Sequence, residues 1–217
     1  MSQNKKDELA PRRYLSSIER KEEILDAALL EFSNKTYSAV SMERLAVCAK
    51  LSKAGIYAHF KSKEDILQAV LDRASQQAET MQGWLPDEDL SLPKLVDVYI
   101  ERLYLTFQSP LFQATYRLAL TESTRAPELI KNWHQDIHLR LENRANIIIQ
   151  RYIERGVIRK SVLTEHFFPL ALAPALLWLN SAMLAKDTAS IERSKVQDIH
   201  RQLLLELLSP HAPKQDG

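Results

Sequence analysis

The chain has 217 residues, of which 45% are hydrophobic, so it is long enough to bury one large core or two smaller ones. Only four residues are glycine, which argues against a β-rich fold and against the glycine-rich phosphate loops of nucleotide-binding enzymes, and a single cysteine, Cys48, excludes an internal disulfide. The 29 basic and 28 acidic side chains nearly balance overall, yet residues 1–63 hold twelve basic against eight acidic ones, which favours a nucleic-acid partner for this end.

The first predicted element is a helix that follows a polar tail, residues 1–15, which we expect to be disordered. Ser16 and Glu19 have the spacing of a capping box, and this box opens a helix that reaches to about Lys35. The tail lacks the apolar segment of a secretory signal. We therefore expect a cytoplasmic protein.

Two short helices and a longer one are predicted next. Ser41, Ser52 and Ser62 are the expected N-caps of the second, third and fourth helices. The second and third helices are joined by a tight link at residues 49–51, which is the geometry of a helix-turn-helix, whose last helix lies in the DNA major groove. We assign residues 16–75 to a DNA-binding domain.

Gly55 lies three residues into the predicted third helix, where glycine is roughly 1 kcal/mol less favourable than alanine. A residue without a side chain lets the backbone approach the sugar-phosphate chain or a base edge. We therefore interpret Gly55 as a point of close approach to DNA.

The segment SKAGIYAHFKSKEDIL, residues 52–67, resembles the third and fourth helices of the TetR/AcrR family of bacterial transcriptional regulators. The family pattern there reads approximately S-x-x-x-[LIV]-Y-x-H-F-x-[ST]-K-E-x-L. The resemblance extends over residues 18–67 and weakens sharply after residue 70. The matching positions are Ser52, Ile56, Tyr57, His59, Phe60, Ser62, Lys63 and Glu64, with Ile66 and Leu67 at the apolar position.

This resemblance implies that Tyr57, His59 and Lys63 contact phosphates, and that Phe60 is a buried aromatic holding the third helix to the first. The family often has threonine at the position of Gly55, so its base specificity does not transfer to this chain. The predicted DNA-contacting residues are Ser41, Arg44, Ser52, Lys53, Ala54, Gly55, Tyr57, His59 and Lys63.

The rest of the chain is predicted to be helical as well, so the fold class is all-α. Pro127 stands where a first-turn proline belongs, and Gly156 where a helix C-terminal cap belongs. The apolar run at 167–179 contains two prolines and is shorter than the roughly 20 residues of a membrane span, which favours a buried helix. The predicted helices are 92–108, 111–123, 127–155, 164–186 and 191–208.

For residues 76–209 the resemblance implies a larger helical domain that binds an effector and dimerises through its last two helices, followed by a tail, 210–217. Large apolar side chains could line a ligand pocket there, although ordinary core packing is the alternative for each of them. The candidate ligand residues are Phe107, Phe112, Tyr116, Trp133, Ile137, Phe168 and Trp178. The candidate dimer residues are Leu172, Leu176, Leu179, Met183, Ile199, Leu203, Leu204 and Leu207.

His134 and His138 stand one helical turn apart and could share a metal with Glu142. Their polar neighbours favour a solvent-facing pair instead. We predict neither a metal nor a cofactor.

These patterns predict a homodimeric regulator, most simply a repressor, that releases a palindromic DNA operator when a small molecule binds. One alternative is a DNA-binding protein of the same fold without an effector. An enzyme is the weaker alternative, because the chain contains no G-x-S-x-G, H-E-x-x-H, Walker or dinucleotide motif.

Overall fold

The computed structural model describes residues 16–82, 90–184 and 192–210, with the side chains of 81 and 82 left out. These residues form ten α-helices and one 3-10 turn, and no strand occurs among them. The all-α prediction is confirmed. The predicted tails 1–15 and 210–217 lie outside the described residues, except for Pro210.

The chain divides into two compact units, one ending at Leu67 and the other beginning at Gln68, so the division falls within a helix. The sequence-based boundary between residues 75 and 76 stays a prediction. The first unit contains α1 (Ser17–Asn34), the 3-10 turn (Tyr37–Ala39), α2 (Met42–Cys48), α3 (Lys53–Tyr57) and the start of α4 (Lys63–Gln82).

Local capping sets the start of the helices in this unit. The Ser16 hydroxyl accepts from the Glu19 amide at 3.2 Å, and the Glu19 carboxylate accepts from the Ser16 amide at 2.8 Å, so the predicted capping box is present. Ser62 accepts from the Asp65 amide at the start of α4. Phe60 is buried, and the Lys21 ammonium of α1 lies 6.0 Å from the centre of its ring.

The second unit contains the remainder of α4 and six further helices. Gly156 has a φ of 71° directly after α7, which is the left-handed conformation expected of a glycine cap. The helices are α5 (Leu92–Gln108), α6 (Pro110–Glu122), α7 (Pro127–Glu154), α8 (Val162–Glu165), α9 (Phe167–Leu184) and α10 (Arg193–Leu208).

Helix α9 is long and apolar enough to cross a membrane when judged by length and composition alone, and a third of it, 33%, is buried within the protein. Core helices of soluble proteins meet the same criterion. Ala171, Ala175 and Leu179 are fully buried along one side of α9, whereas Leu177 and Leu184 are exposed. Most side chains of α9 are buried or half-buried, and an exposed stripe that includes Leu170, Leu177 and Leu184 remains.

His200 of α10 is completely buried in the core of the second unit. Its Nδ1 lies 3.5 Å from the hydroxyl oxygen of Tyr104, and the two rings meet edge to face. Burial lowers the pKa of His200 to about 4, against a smaller opposing effect of the Ala171 carbonyl. The imidazole is thus neutral in the folded protein at pH values where an unfolded histidine is already protonated.

We predict that His200 makes the protein less stable in mild acid. Between the ordinary histidine pKa of 6.5 and the folded value of about 4, only the unfolded chain binds this proton, so stability falls as the pH falls. The loss attributable to His200 is on the order of 3 kcal/mol over that range. Urea unfolding at a fixed protein concentration, repeated across these pH values, measures it.

His200→Leu should remove this part of the pH dependence. His166→Leu is the matched control, because His166 is exposed. An unfolding free energy of His200→Leu that fell in parallel with that of the unmodified chain would contradict the prediction.

Candidate nucleic-acid interface

The helix-turn-helix consists of α2, α3 and the turn between them. The Leu51 amide donates to the Ala46 carbonyl at 2.8 Å, and the Lys50 amide donates to the Val47 carbonyl at 3.0 Å. This pair of bonds is a Schellman motif, which usually has glycine at the position that Lys50 occupies with a φ of 56°. The motif ends α2 sharply and directs the chain into α3.

Both serines that are predicted to contact DNA are helix N-caps, as expected from their places in the sequence. The Ser41 hydroxyl accepts from the Arg44 amide at 3.2 Å, and the Ser52 hydroxyl accepts from the Gly55 amide at 3.0 Å. A capping hydroxyl keeps its own proton, which it can donate to a phosphate oxygen. Capping and DNA contact are therefore compatible at both residues.

Helix α3 has one buried anchor and an outward face. Ile56 is fully buried, whereas Lys53, Ala54 and Tyr57 are exposed, Tyr57 to 43%. His59 follows the helix and is half-buried. The structure thus places the predicted groove-facing residues Lys53 and Ala54, together with Tyr57, on one accessible surface.

Lys53 is paired with an acidic neighbour on α2. Its Nζ lies 2.5 Å from Oε1 of Glu43, and both side chains are largely exposed. This pair raises the pKa of Lys53, and the bond from Lys53 holds the pKa of Glu43 below its ordinary value. A phosphate or base approaching Lys53 has to compete with the Glu43 carboxylate.

Arg44 braces α2 against α1. Its Nε and Nη2 donate to the two carboxylate oxygens of Glu31 at 2.9 and 3.0 Å. The bonds from Arg44 and from the Cys48 thiol lower the pKa of Glu31 to about 2. Burial raises the pKa of the Cys48 thiol, and the neighbouring Glu31 carboxylate raises it further. This half-buried thiol therefore stays protonated.

Lys63 has contacts within the first unit that sequence reasoning missed. Its ammonium donates to the Tyr37 and Val40 carbonyl oxygens, each at 2.8 Å. These acceptors precede Lys63 by more than twenty residues, so no local pattern could have indicated them. The phosphate contact implied by the resemblance stays a prediction.

Comparisons with known proteins bear on this geometry. Residues 24–70 match the model for bacterial regulatory proteins of the tetR family. The chain has the fold of a TetR-family regulator. No curated protein sequence matches the chain.

Solved structures share this fold over nearly the whole chain. GusR of Salmonella enterica superposes with a TM-score of 0.72 at 21% identity, covering 91% of this chain and 99% of its own. A structure described as a TetR-family regulator, from Mesorhizobium loti, gives 0.70 at 24% identity over 90% of this chain and 100% of its own. The complex of SmeT with triclosan gives 0.67 at 17% identity, over 92% and 97%.

The second unit of this TetR-family fold encloses a cavity of about 60 Å³ between α5, α7, α9 and α10. Tyr99 and Arg102 are the polar residues of its lining. The Tyr99 hydroxyl donates to the Ala171 carbonyl at 3.1 Å, and burial raises its pKa, so it stays protonated. The apolar lining consists of Leu95, Val96, Leu141, Ala145, Ile148, Ile149, Phe167, Phe168, Leu204 and Leu208.

Of the seven predicted ligand residues, the structure brings Phe168 to this cavity. Three others stack on one another: the ring centres of Phe107 and Phe112 are 5.0 Å apart, and those of Phe112 and Tyr116 are 6.1 Å apart. Trp178 packs against Tyr104 at 5.5 Å. These four aromatic residues contribute to packing away from the cavity.

The other two candidates lie on α7. The Trp133 indole Nε1 donates to the Leu71 carbonyl at 3.1 Å and to the Ser75 hydroxyl at 2.7 Å, and both acceptors belong to α4. Ile137 is buried and does not line the cavity. Trp133 thus holds α4 to α7 inside the second unit.

His134 and His138 lie side by side on α7, and the His138 ring meets that of Phe168 edge to face at 5.0 Å. The rings of His134 and His138 stack with their centres 5.8 Å apart, and His138 Nε2 is 4.0 Å from Oε2 of Glu142. Within the described ranges, no group of three or more His, Cys, Asp or Glu side chains could hold a metal ion.

Gly55 does not have a positive φ, so its backbone does not require glycine. A Cβ at this position would lie 3.3 Å from the Ser52 hydroxyl oxygen and 3.4 Å from the Leu51 Cβ. The hydroxyl would have to shift by a few tenths of an ångström. Internal packing is therefore a weak reason for glycine, and close approach to DNA stays the stronger interpretation.

We predict that Gly55→Ala leaves the unfolding free energy within about 1 kcal/mol, because better helix propensity opposes the crowding of Ser52. Gly55→Leu should abolish sequence-specific binding to duplex DNA while the protein stays folded. Thermal unfolding and fluorescence titration with duplex DNA measure the two effects. Ser33→Leu adds the same side chain to an exposed position on α1 and serves as the control. Native operator affinity in a folded Gly55→Leu protein would contradict close approach.

Proposed function

We propose that this protein is a homodimeric, cytoplasmic transcriptional regulator, most simply a repressor, that leaves a palindromic operator when a small molecule binds. The observation that carries the proposal is the accessible surface formed by Lys53, Ala54 and Tyr57 on a helix anchored by the buried Ile56. This surface sits on the second helix of a helix-turn-helix, the element that enters the major groove.

The last two helices support dimerisation. Leu170, Leu177 and Leu184 of α9 are exposed at seven-residue intervals, and Leu184 is 83% exposed. On α10, Ile199 and Leu203 are exposed as well. Apolar side chains in such a row favour burial against a second copy.

Most of the dimer residues chosen from the sequence also pack within one chain. Leu179 and Leu204 are buried in the core of the second unit, and Leu172, Leu176, Met183 and Leu207 pack against that core. Only Ile199 and Leu203 of the eight are exposed. We therefore assign the proposed dimer face to these two together with the three exposed leucines of α9.

A dimer presents two copies of the exposed α3 surface to two half-sites on the duplex, about 34–36 Å apart. Selection from a library of random-sequence double-stranded DNA tests this function directly. We expect enrichment of a palindromic sequence and two protomers per duplex by sedimentation. Failure of any duplex sequence to be enriched would contradict DNA-binding regulation.

Lys53→Ala should change the base preference in the same selection. Lys53 projects from the first turn of α3, so its loss removes a group that can read base edges. Because Lys53 must leave Glu43 to bind DNA, we also expect Glu43→Gln to raise the affinity for all duplexes. An unchanged consensus for Lys53→Ala would place this side chain outside the groove.

The cavity in the second unit supports effector binding. Its apolar lining, with the Tyr99 hydroxyl and the Arg102 side chain, suits a largely apolar molecule that carries one anionic or hydrogen-bond-accepting group. The cavity of about 60 Å³ is far below the roughly 300–1,000 Å³ of ligand pockets. An effector would therefore have to favour an expanded arrangement of the four surrounding helices, which makes binding and conformational change one event.

The small cavity also favours a second candidate, a DNA-binding protein of this fold that has no effector. SmeT has been solved with triclosan, which shows that one protein of this fold binds a small molecule. Native mass spectrometry of the purified protein, searching for a retained small molecule, distinguishes the candidates.

We predict that filling the cavity mimics an effector. Ala145→Leu adds apolar volume inside the cavity and should lower operator affinity without dissociating the dimer. Asn146→Leu is the matched control, because its side chain is exposed on the same helix. Operator titration and sedimentation measure both properties. Full affinity in an intact Ala145→Leu dimer would favour the candidate without an effector.

A further inference from the structure

Lys63 and Glu64, at the start of α4, form hydrogen bonds with the 3-10 turn and the residue after it, which precede α2. The Lys63 ammonium donates to the Tyr37 and Val40 carbonyls at 2.8 Å each and lies 4.2 Å from the centre of the Tyr37 ring. The Tyr37 hydroxyl donates to Oε1 of Glu64 at 2.8 Å. We call this group of four residues the turn clasp.

The turn clasp acts on a segment with few interactions of its own. The 3-10 turn has three residues, and its closing bonds are Ala39 amide to Thr36 carbonyl at 3.0 Å and Val40 amide to Tyr37 carbonyl at 3.2 Å. Tyr37 is buried, and its ring packs on Phe32 of α1 at 5.4 Å. The clasp therefore ties the turn to α4 at one side while Phe32 ties it to α1.

The position of α2 depends on this turn. Val40 is the residue directly before Ser41, and Ser41 caps α2. Because the Lys63 ammonium holds the Val40 carbonyl, it determines where α2 begins, and α2 leads through the Schellman turn into α3. A displacement of Val40 would therefore move the exposed α3 surface formed by Lys53, Ala54 and Tyr57.

The clasp also limits what Lys63 can offer to DNA. An ammonium group has three protons, and two of them are donated to the carbonyls, while the Tyr37 ring covers another side. The third proton and the full positive charge stay available, because both acceptors are neutral carbonyl oxygens. Hydrogen bonds from a charged donor are also the stronger class, which favours retention of the clasp.

We propose that Lys63 is a positioning residue that sets the placement of α2 and α3 through the turn clasp, whether or not its charge also lies beside a phosphate. This inference rests on the proposed DNA-binding function. It makes a different prediction from a phosphate contact, because positioning affects sequence-specific binding selectively, whereas a phosphate contact affects all duplexes alike.

The test compares Lys63→Met with Lys61→Met, an exposed lysine two residues away, so both variants lose one charge. Binding to the selected operator and to a scrambled duplex is titrated over a range of salt concentrations. We expect Lys63→Met to lose about tenfold or more in operator affinity, with a clearly smaller loss for the scrambled duplex. Lys61→Met should keep the ratio of specific to non-specific affinity.

Equal losses for both duplexes with a salt slope lower by about one would overturn the proposal in favour of a phosphate contact. If Lys63→Met does not fold, Tyr37→Phe replaces it. That variant removes the hydroxyl that donates to Glu64, takes away no charge and should still lower the ratio of specific to non-specific affinity. An unchanged ratio in Tyr37→Phe would then overturn the proposal.

Hydrogen exchange of the Val40 amide, measured without DNA, separates the clasp from the proposed function. We expect faster exchange in Lys63→Met, or in Tyr37→Phe, than in Lys61→Met, since the Val40 amide closes the turn that the clasp holds. Equal exchange in all variants would overturn the clasp. Faster exchange in a protein that binds no duplex would support the clasp while the DNA-binding function failed.

Discussion

A helix of five residues has no stability of its own, and α3, the helix proposed to enter the groove, is that short. Its conformation is imposed by its surroundings: the Ser52 cap at its start, the buried Ile56 near its end and the Schellman turn before it. The positions of the outward residues Lys53, Ala54 and Tyr57 therefore depend on these three supports. The proposed contact with DNA thus depends on Ile56 and on the turn before α3 as well as on the outward residues themselves.

Local interactions could be predicted from the sequence, because each of them joins residues three or four apart. The capping box of Ser16 and Glu19, the Ser41 and Ser52 caps and the glycine cap at Gly156 are all of this kind. The motif from Ser52 to Glu64 predicted the family fold in the same way. The left-handed Lys50 was missed, because the usual signal for a turn of this type is a glycine.

Interactions between distant residues could not be predicted from one sequence. The Lys63 ammonium binds carbonyls of residues 37 and 40, and the Trp133 indole binds α4 across some sixty residues of chain. Periodicity indicates that a side chain faces inward, but not which partner it meets there. For the same reason the sequence could not indicate which of the predicted aromatic residues border the cavity, and the structure brings Phe168 there while others pack elsewhere in the core. The gap is bordered mainly by medium-sized aliphatic residues.

The placement of this gap joins the two proposed properties of the second unit. Leu204 and Leu208 of α10 line the cavity, while Ile199 and Leu203 of the same helix face outward. On α9, Phe167 and Phe168 border the cavity, and Leu177 and Leu184 are exposed further along the helix. If α10 shifts as a rigid body, expansion of the cavity displaces Ile199 and Leu203 as well. An effector that enlarged the cavity would therefore change the geometry of the proposed dimer face, and with it the distance between the two α3 helices of the proposed dimer.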